Sequence, residues 1–465
     1  MAKQSKINSN PNPSATSNSN STSGSNSNSN SRDSNSRRSF IKTVAAGTAG
    51  LTFGLNAAGY ANILGANDTQ RLGFIGMGQQ GRRLLNATLK QNNVQVAAFA
   101  DVYKPNLDFA SARIPEADTY TDFRSLLDRN DLDAVVIATP DHWHALNTIM
   151  ACDAGKDVYV EKPLSRYIGE GRKMVEAARK NDRIVQVGTM QRSATVFQEA
   201  MEIIHSGDLG PISFVRTWNY SNAYPDGIGN PNDSNPPASL DWDMWLGPAE
   251  KRPFNENRFG VFLDEEGQYQ RWASFRWFWD YAGGMMTDWG VHLLDIVQWG
   301  MKVQSPNSVA TNGGKFYLND NRETPDTIQA SYQFDDFVCT YENRVVNGKP
   351  MDGHSYGIMF HGTEGTLFVD RSMLKVTPEP SSSLEKLTME VEEDMLAKHV
   401  QNFLESTRTR KKPICDVEIG HHSTTTANLG NIALRTNSRV DWDAENEKAK
   451  NNSQANELVN GYHRK

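Results

Sequence analysis

Short continuous apolar runs alternate with stretches of helical period through the first part of the chain. Arg71–Gly78, Val94–Ala100, Ala134–Thr139, Val158–Val160 and Ile184–Val187 are runs of strand length. Between them, Gln80–Lys90, about His144–Ala154 and about Gly169–Lys180 repeat apolar positions with a helical period. Uninterrupted apolar strands alternating with helices predict a parallel sheet covered on both faces, the doubly wound α/β arrangement.

From about Gln191 the pattern changes. Ile212–Trp218, Thr327–Phe334, Val338–Arg344 and Tyr356–Val369 alternate with period two, which predicts a mostly antiparallel, open sheet in an α+β domain. A helix is expected from the Gly283–His292 stretch to about Gly300, and it would place Asp288 and His292, at i and i+4, on one face. The chain is expected to divide into a doubly wound domain over 68–190, an α+β domain over 191–445 with an insertion at 219–282, and a tail over 446–465.

The first glycines fall between the first strand and first helix, as Gly76-Met77-Gly78-Gln79-Gln80-Gly81. In that place Gly76 permits a tight turn, Gly78 lets backbone approach a pyrophosphate, and Gly81 lets helix pack on strand. The helix N-terminus then faces the phosphates. Asp101 ends the second strand, where a carboxylate hydrogen-bonds a ribose 2′-hydroxyl and repels a 2′-phosphate. NAD is therefore expected rather than NADP. Later strand ends carry Thr139-Pro140-Asp141-His142-Trp143-His144 and Glu161-Lys162-Pro163, at the edge where such sheets bind ligands.

Composition changes the picture at the N-terminus. Residues 4–36 are mostly Ser and Asn, which predicts a disordered segment over 1–35. Ser36-Arg37-Arg38-Ser39-Phe40-Ile41-Lys42 and the apolar run Thr43–Leu55 then read as a twin-arginine signal over 36–66. This implies the twin-arginine export machinery as a partner and a periplasmic or otherwise exported protein, tethered to the membrane if the signal is retained. A net charge of −7 with no strongly basic block in the folded part argues against nucleic acid. Cys152, Cys339 and Cys415 have no metal-like spacing, and no metal is expected. Tryptophans cluster from Trp218 to Trp289, suited either to stacking on sugar C–H surfaces or to packing the insertion.

These motifs resemble the Gfo/Idh/MocA oxidoreductases, a family that includes glucose–fructose oxidoreductase and inositol dehydrogenases. The likeness spans about residues 70–440. It rests on the glycine loop with Asp101, Thr139–Ala145, Glu161-Lys162-Pro163 and Asp288-x-x-x-His292. Leu240–Pro248 and Trp279–Gly284 resemble an exported twin-arginine subgroup. The resemblance implies a Lys/Asp/His catalytic group at Lys162, Asp288 and His292. Cofactor contacts are implied at Gly76, Met77, Gly78, Gly81, Asp101, Thr139, Pro140, His144, Glu161 and Lys162. Substrate contacts are implied at Gln191, Arg192, Tyr281 and Asp288. Asp141 departs from the family, since many relatives carry Asn there. Chemically, His292 near neutrality suits a general base, and Lys162 suits stabilisation of a developing alkoxide. The expected activity is oxidation of a sugar, cyclitol or glycoside hydroxyl with tightly held NAD. The alternative is a glycosidase that oxidises, eliminates, hydrates and reduces within one cycle. The resemblance also implies a dimer or tetramer built on the open sheet.

Overall fold

The apolar runs pair into one parallel sheet. β1 (Gln70–Ile75), β2 (Val94–Ala100), β3 (Asp118–Tyr120), β4 (Ala134–Ile137), β5 (Asp157–Val160) and β6 (Val185–Val187) lie in the order β3-β2-β1-β4-β5-β6. Strand order reverses between β1 and β4, which opens a crevice at their carboxyl ends. The computed structural model describes residues 69–264 and 266–461. The segment 1–35 and the twin-arginine stretch 36–66 lie outside the described residues.

Alternate side chains of these strands feed two cores. Leu72, Phe74, Val96 and Val136 face one side, and Val135, Ile137, Val158 and Val160 the other. Helices α1 (Gln79–Thr88), α2 (Lys104–Arg113), α3 (Asp141–Asp153) and α4 (Ile168–Lys180) connect the strands. The sequence pattern does not mark α2 and β3. α2 buries only Asn106 and Ala110, so it has no apolar stripe, and β3 has no fully buried residue. α3 begins at Asp141 rather than near His144. Extended Pro140 precedes it, and an acid in the first turn suits the positive end of a helix. Asp141 to His144 thus form a helical turn at the rim of the crevice.

The second sheet has ten strands in the order β14-β13-β12-β11-β7-β10-β9-β8-β15-β16. β7 is Ile212–Tyr220, β8 Ser308–Gly314, β9 Thr327–Gln333 and β10 Val338–Arg344; β10 runs parallel to β7, while the other pairs are antiparallel. The Tyr356–Val369 stretch splits into a hairpin, β11 (Tyr356–Gly362) and β12 (Gly365–Val369), followed by β13 (Met373–Pro378) and β14 (Leu387–Glu390). One face packs on α5 (Thr195–Ser206) and α6 (Val291–Met301) in the largest apolar core.

The chain then returns to the first sheet. α7 (Met395–Thr409) buries Leu396, Val400, Phe403 and Leu404 against the Phe74 and Tyr159 side of it. α8 (Val417–Arg435) runs between the two sheets' helices, contacting α4, α6 and β8. Residues 446–465, read from sequence as a tail, instead supply β16 (Lys448–Ala449), paired with β15 (Val440–Asp443), and α9 (Ser453–Asn460). Ala449, Ala455 and Val459 bury in the main core, which anchors residues 448–460. Within 219–282, Leu240, Trp242, Trp245, Phe254, Phe259, Phe278 and Tyr281 form a separate apolar cluster. The Trp242 and Trp245 rings stack 4.7 Å apart. Most aromatic residues of this stretch therefore pack on one another.

Candidate active site

The crevice is a cavity of about 390 Å³, reaching from the β1–α1 glycines to Lys162, Asp288 and His292. At its first end, Gly76 has φ +90, and a Cβ there would lie 2.8 Å from the Ala138 backbone. A Cβ on Gly81 would lie 2.1 Å from the Gly76 carbonyl oxygen, so Gly81 serves helix–strand contact and does not line the cavity. Gly78 does line it, and a Cβ there would meet only the Tyr269 hydroxyl, at 3.6 Å. No side chain caps the N-terminus of α1, whose Gln79 and Gln80 also face the cavity. Met77 buries its side chain in the core and offers its amide to Asp101 Oδ2 at 2.7 Å.

Asp101 is held on three sides. It accepts from the amides of Met77 and Tyr103 and from Asn106 Nδ2. Burial raises its carboxyl above the ordinary range, and these hydrogen bonds oppose that. The segment 266–273 closes over this end. Tyr269 Oη donates to Asn106 Oδ1 at 2.8 Å, and Arg82 Nη1 donates to the Gly267 carbonyl at 2.8 Å. Arg82 also stacks on Phe109 and Tyr269, so this guanidinium is committed to protein groups.

At the other end, Lys162 precedes a cis bond to Pro163. Its Nζ donates to Asp288 Oδ1 at 2.7 Å and to the Asp288 carbonyl at 3.1 Å. Arg276 Nη1 holds Asp288 Oδ2 at 2.6 Å. Burial alone would raise the Asp288 carboxyl, but Arg276 and Lys162 overcome it and hold the group well below the usual carboxylate range. The expected α-helical face through Asp288 and His292 is modified: Met286–Gly290 winds as a π-helical turn before α6 starts at Val291. Such turns re-aim side chains at functional sites. Gly283 and Gly284 precede it, and the Asn431 side chain ties the Gly283 carbonyl to α8.

His292 is buried, and its Nδ1 has no hydrogen-bond partner. Burial, then the charges of Arg371 and Lys162, push the ring well below the ordinary histidine value. The expected near-neutral base is thus a neutral ring of depressed basicity. Asp141 moves the other way. Burial and the nearby Asp288 charge raise it to about 7, against the pull of Lys162 and Arg276.

The remaining sequence-predicted residues divide. Thr139, Pro140 and Glu161 line the cavity, with Glu161 Oε1 accepting from Gln80 at 2.8 Å. His144 does not line it. Its ring nitrogens lie 2.7 Å from the Pro163 carbonyl and 2.9 Å from that of Thr139, tying two strand ends together. Arg192 is buried in an ion pair with Asp295 at 2.8 Å, away from the cavity. Tyr281 packs in the aromatic cluster. Gln191 bridges the His292 carbonyl and Arg371 Nε behind the wall. Trp272 and Trp289, members of the tryptophan cluster, do line the cavity, whereas Arg276, Arg371 and Tyr269 reach it from segments without a motif, so no sequence signal marked those three.

Two family models account for most of this architecture. Residues 70–189 match "Oxidoreductase family, NAD-binding Rossmann fold", and residues 203–465 match "Oxidoreductase family, C-terminal alpha/beta domain". The chain belongs to the Gfo/Idh/MocA oxidoreductase family. Its relatives include a glycosyl hydrolase family 109 protein from Shewanella putrefaciens, 31% identical over 172 residues. That match covers 32% of this chain and 38% of the relative. An inositol 2-dehydrogenase from Salmonella agona is 31% identical over 159 residues, covering 33% of this chain and 46% of the relative. These matches span less than half the length of either relative. In fold, the chain is similar to a levoglucosan dehydrogenase in complex with NADH and levoglucosan, with TM-score 0.62, 18% identity, and coverage of 80% of this chain and 98% of that one.

The NAD-binding assignment of the Gfo/Idh/MocA fold agrees with the cavity. Gly78 leaves open space where a pyrophosphate would approach, beside uncapped helix amides. Asp101 would meet a ribose at this end, and the neighbouring Arg82 is spent on Gly267, Phe109 and Tyr269 and so is not available to a 2′-phosphate.

Proposed function

We propose that the protein oxidises a secondary hydroxyl of a sugar, cyclitol or glycoside, using NAD that it retains through turnover. The observation that carries this reading is the Lys162–Asp288 pair, 2.7 Å apart, in one cavity with the glycine loop and His292. NAD supplies the hydride acceptor when bound. An ammonium has three N–H donors. Lys162 points one at Asp288 Oδ1 and one at the Asp288 carbonyl, which leaves one for the substrate oxygen. Asp288, paired through both oxygens, is a positioning residue and stays ionised rather than accepting a proton. His292, neutral and with an unpartnered Nδ1, is the acceptor for the hydroxyl proton. The products are a ketone, reduced cofactor and that proton; because the cofactor is retained, a second, carbonyl-bearing substrate or a redox partner must take the hydride before the next cycle. The 266–273 segment, latched to Asn106 and Arg82, supports retention of the cofactor.

A second reading is supported by the glycosyl hydrolase name of a relative. Oxidation of a ring hydroxyl acidifies the neighbouring C–H, so the aglycone can be eliminated, water added and the hydride returned, without net redox change. One experiment separates the two. Purified protein is denatured and its released nucleotide assayed; intact protein is then given a glycoside panel while reduced nicotinamide and free aglycone are followed. Bound NAD with reduced nicotinamide and no aglycone is expected. Aglycone release without net reduction selects the second reading, and neither signal contradicts both.

We further infer export by the twin-arginine route, on the strength of Ser36–Lys42 and the apolar run after it. Changing Arg37 and Arg38 to Lys is expected to retain the protein in the cytoplasm; unchanged fractionation refutes export by this route. Cofactor loading before export gives retention of NAD its purpose. Assembly on the open sheet as a dimer or tetramer is part of the proposal and is read by molar mass in solution.

A further inference from the structure

Four cations line the cavity, and their partners can be assigned. Lys162 and Arg276 both hold Asp288. Arg83 sits on α1 beside the glycine loop, with Nη1 on Gln80 Oε1. Arg371 is the fourth; like Arg83 it forms no ion pair among the described residues, but it reaches the cavity on the His292 side and not from the glycine-loop helix. It stands in the turn between β12 and β13. Its Nε donates to Gln191 Oε1 at 3.1 Å, and its guanidinium lies 4.6 Å from the Trp289 ring centre. The adjacent acid, Asp370, is taken by the turn amides of Ser372 and Met373 and by His354. The fixed stem and ring contact aim a planar donor at the His292 end of the cavity. A guanidinium withdrawn from water without a counter-charge is costly, and its fork matches a carboxylate.

We infer that the substrate carries a carboxylate that pairs with Arg371, so that the carbohydrate is a sugar acid or uronide rather than a neutral sugar. This rests on the oxidoreductase reading for what happens next, but not for the pairing itself. The charge balance agrees: Lys162, Arg276 and Arg371 face the ionised Asp288 at this end, while burial raises both Asp141 and Glu161 and so favours their neutral forms. The pairing also helps the chemistry. After burial, Arg371 contributes most to holding His292 low, so a carboxylate that neutralises Arg371 makes His292 a better base. An acidic substrate would thereby activate its own proton acceptor.

The cofactor's pyrophosphate is the other anion that could reach a free guanidinium, and the test separates it. The protein as purified, with its nucleotide, is titrated calorimetrically with matched pairs: glucuronate and glucose, galacturonate and galactose, gluconate and sorbitol. At least one acid is expected to bind about tenfold or more tightly than its neutral partner. Arg371→Gln should erase that gap while leaving nucleotide content unchanged, and Arg371→Lys, which keeps the charge, should retain part of it. Equal binding of every pair, or binding by no acid, overturns the inference. So does nucleotide loss in Arg371→Gln, which would give Arg371 to the cofactor. Reduction of the bound nicotinamide is followed in the same samples. Arg371-dependent binding without reduction leaves this site standing and removes the oxidoreductase reading. Reduction by neutral sugars with no preference for acids does the reverse.

Discussion

Single residues carry the cofactor and proton arguments. Gly78→Ala places a methyl in ordinary contact with the Tyr269 hydroxyl and in the space proposed for the pyrophosphate. Nucleotide-free Gly78→Ala should melt like the nucleotide-free parent, yet purify without NAD. Gly76→Ala should lose stability itself, by about 1–2 kcal/mol from its positive φ and more from the Ala138 contact. Melting temperature and released nucleotide report both, and a Gly78→Ala protein with full NAD content contradicts the phosphate site. Asp141 gives a pH signature. Its folded value of about 7 lies above its unfolded one, so the native state holds the extra proton and stability falls as pH rises through that window. Asp141→Asn should melt higher than the parent at about pH 8, with the advantage shrinking toward about pH 5. A constant difference across that range contradicts the raised value. Asp288 and Lys162 were legible because their residue types and motifs name a chemistry. Arg371 and Arg276 were not, since an arginine in a loop looks the same whether it faces solvent or a cavity.

At the scale of elements, the continuous strands were legible because burial on both sides leaves uninterrupted apolar runs. α2 and β3 were not, because they cover an edge and bury almost nothing apolar. α8 hid for another reason. It is buried on nearly every side, yet rich in Ser, Thr, Gly and Asn, so it has neither stripe nor propensity. The π-helical turn at Asp288 is invisible to any spacing rule, since it adds a backbone step without changing sequence distance. α7 shows what the domain boundaries missed, for it belongs by sequence to the second half and packs on the first sheet. Phe403 lies edge-on to Tyr159, 5.8 Å between centres, and Phe403→Ala should cost about 3–5 kcal/mol in denaturant unfolding. A loss below about 1 kcal/mol would mean that α7 is not docked there. The 266–273 segment makes a kinetic prediction. Tyr269→Phe removes one latch to Asn106, worth about 0.5–1.5 kcal/mol, so NAD release should quicken several-fold in a dilution assay. Unchanged release would remove the segment from the account of retention.

For the whole molecule, residues from both sheets' domains line one common cavity. The first brings the glycine loop, Asp101 and Lys162, while the π-turn before α6 brings Asp288 and His292. α7 and α8 tie the two domains into one unit. The family and the cofactor followed from motifs that sequence displays. The polarity of the substrate end did not, because it depends on which charges already have partners. The central claim is that hydride passes between substrate and nicotinamide under the control of Lys162. It is tested most directly by one turnover with a carbohydrate from the panel, deuterated at the carbon that is oxidised, followed by mass analysis of the nucleotide. The account predicts deuterium on the nicotinamide of the parent protein and none for Lys162→Ala. Product formed with an unlabelled nucleotide, or equal labelling in Lys162→Ala, would contradict it.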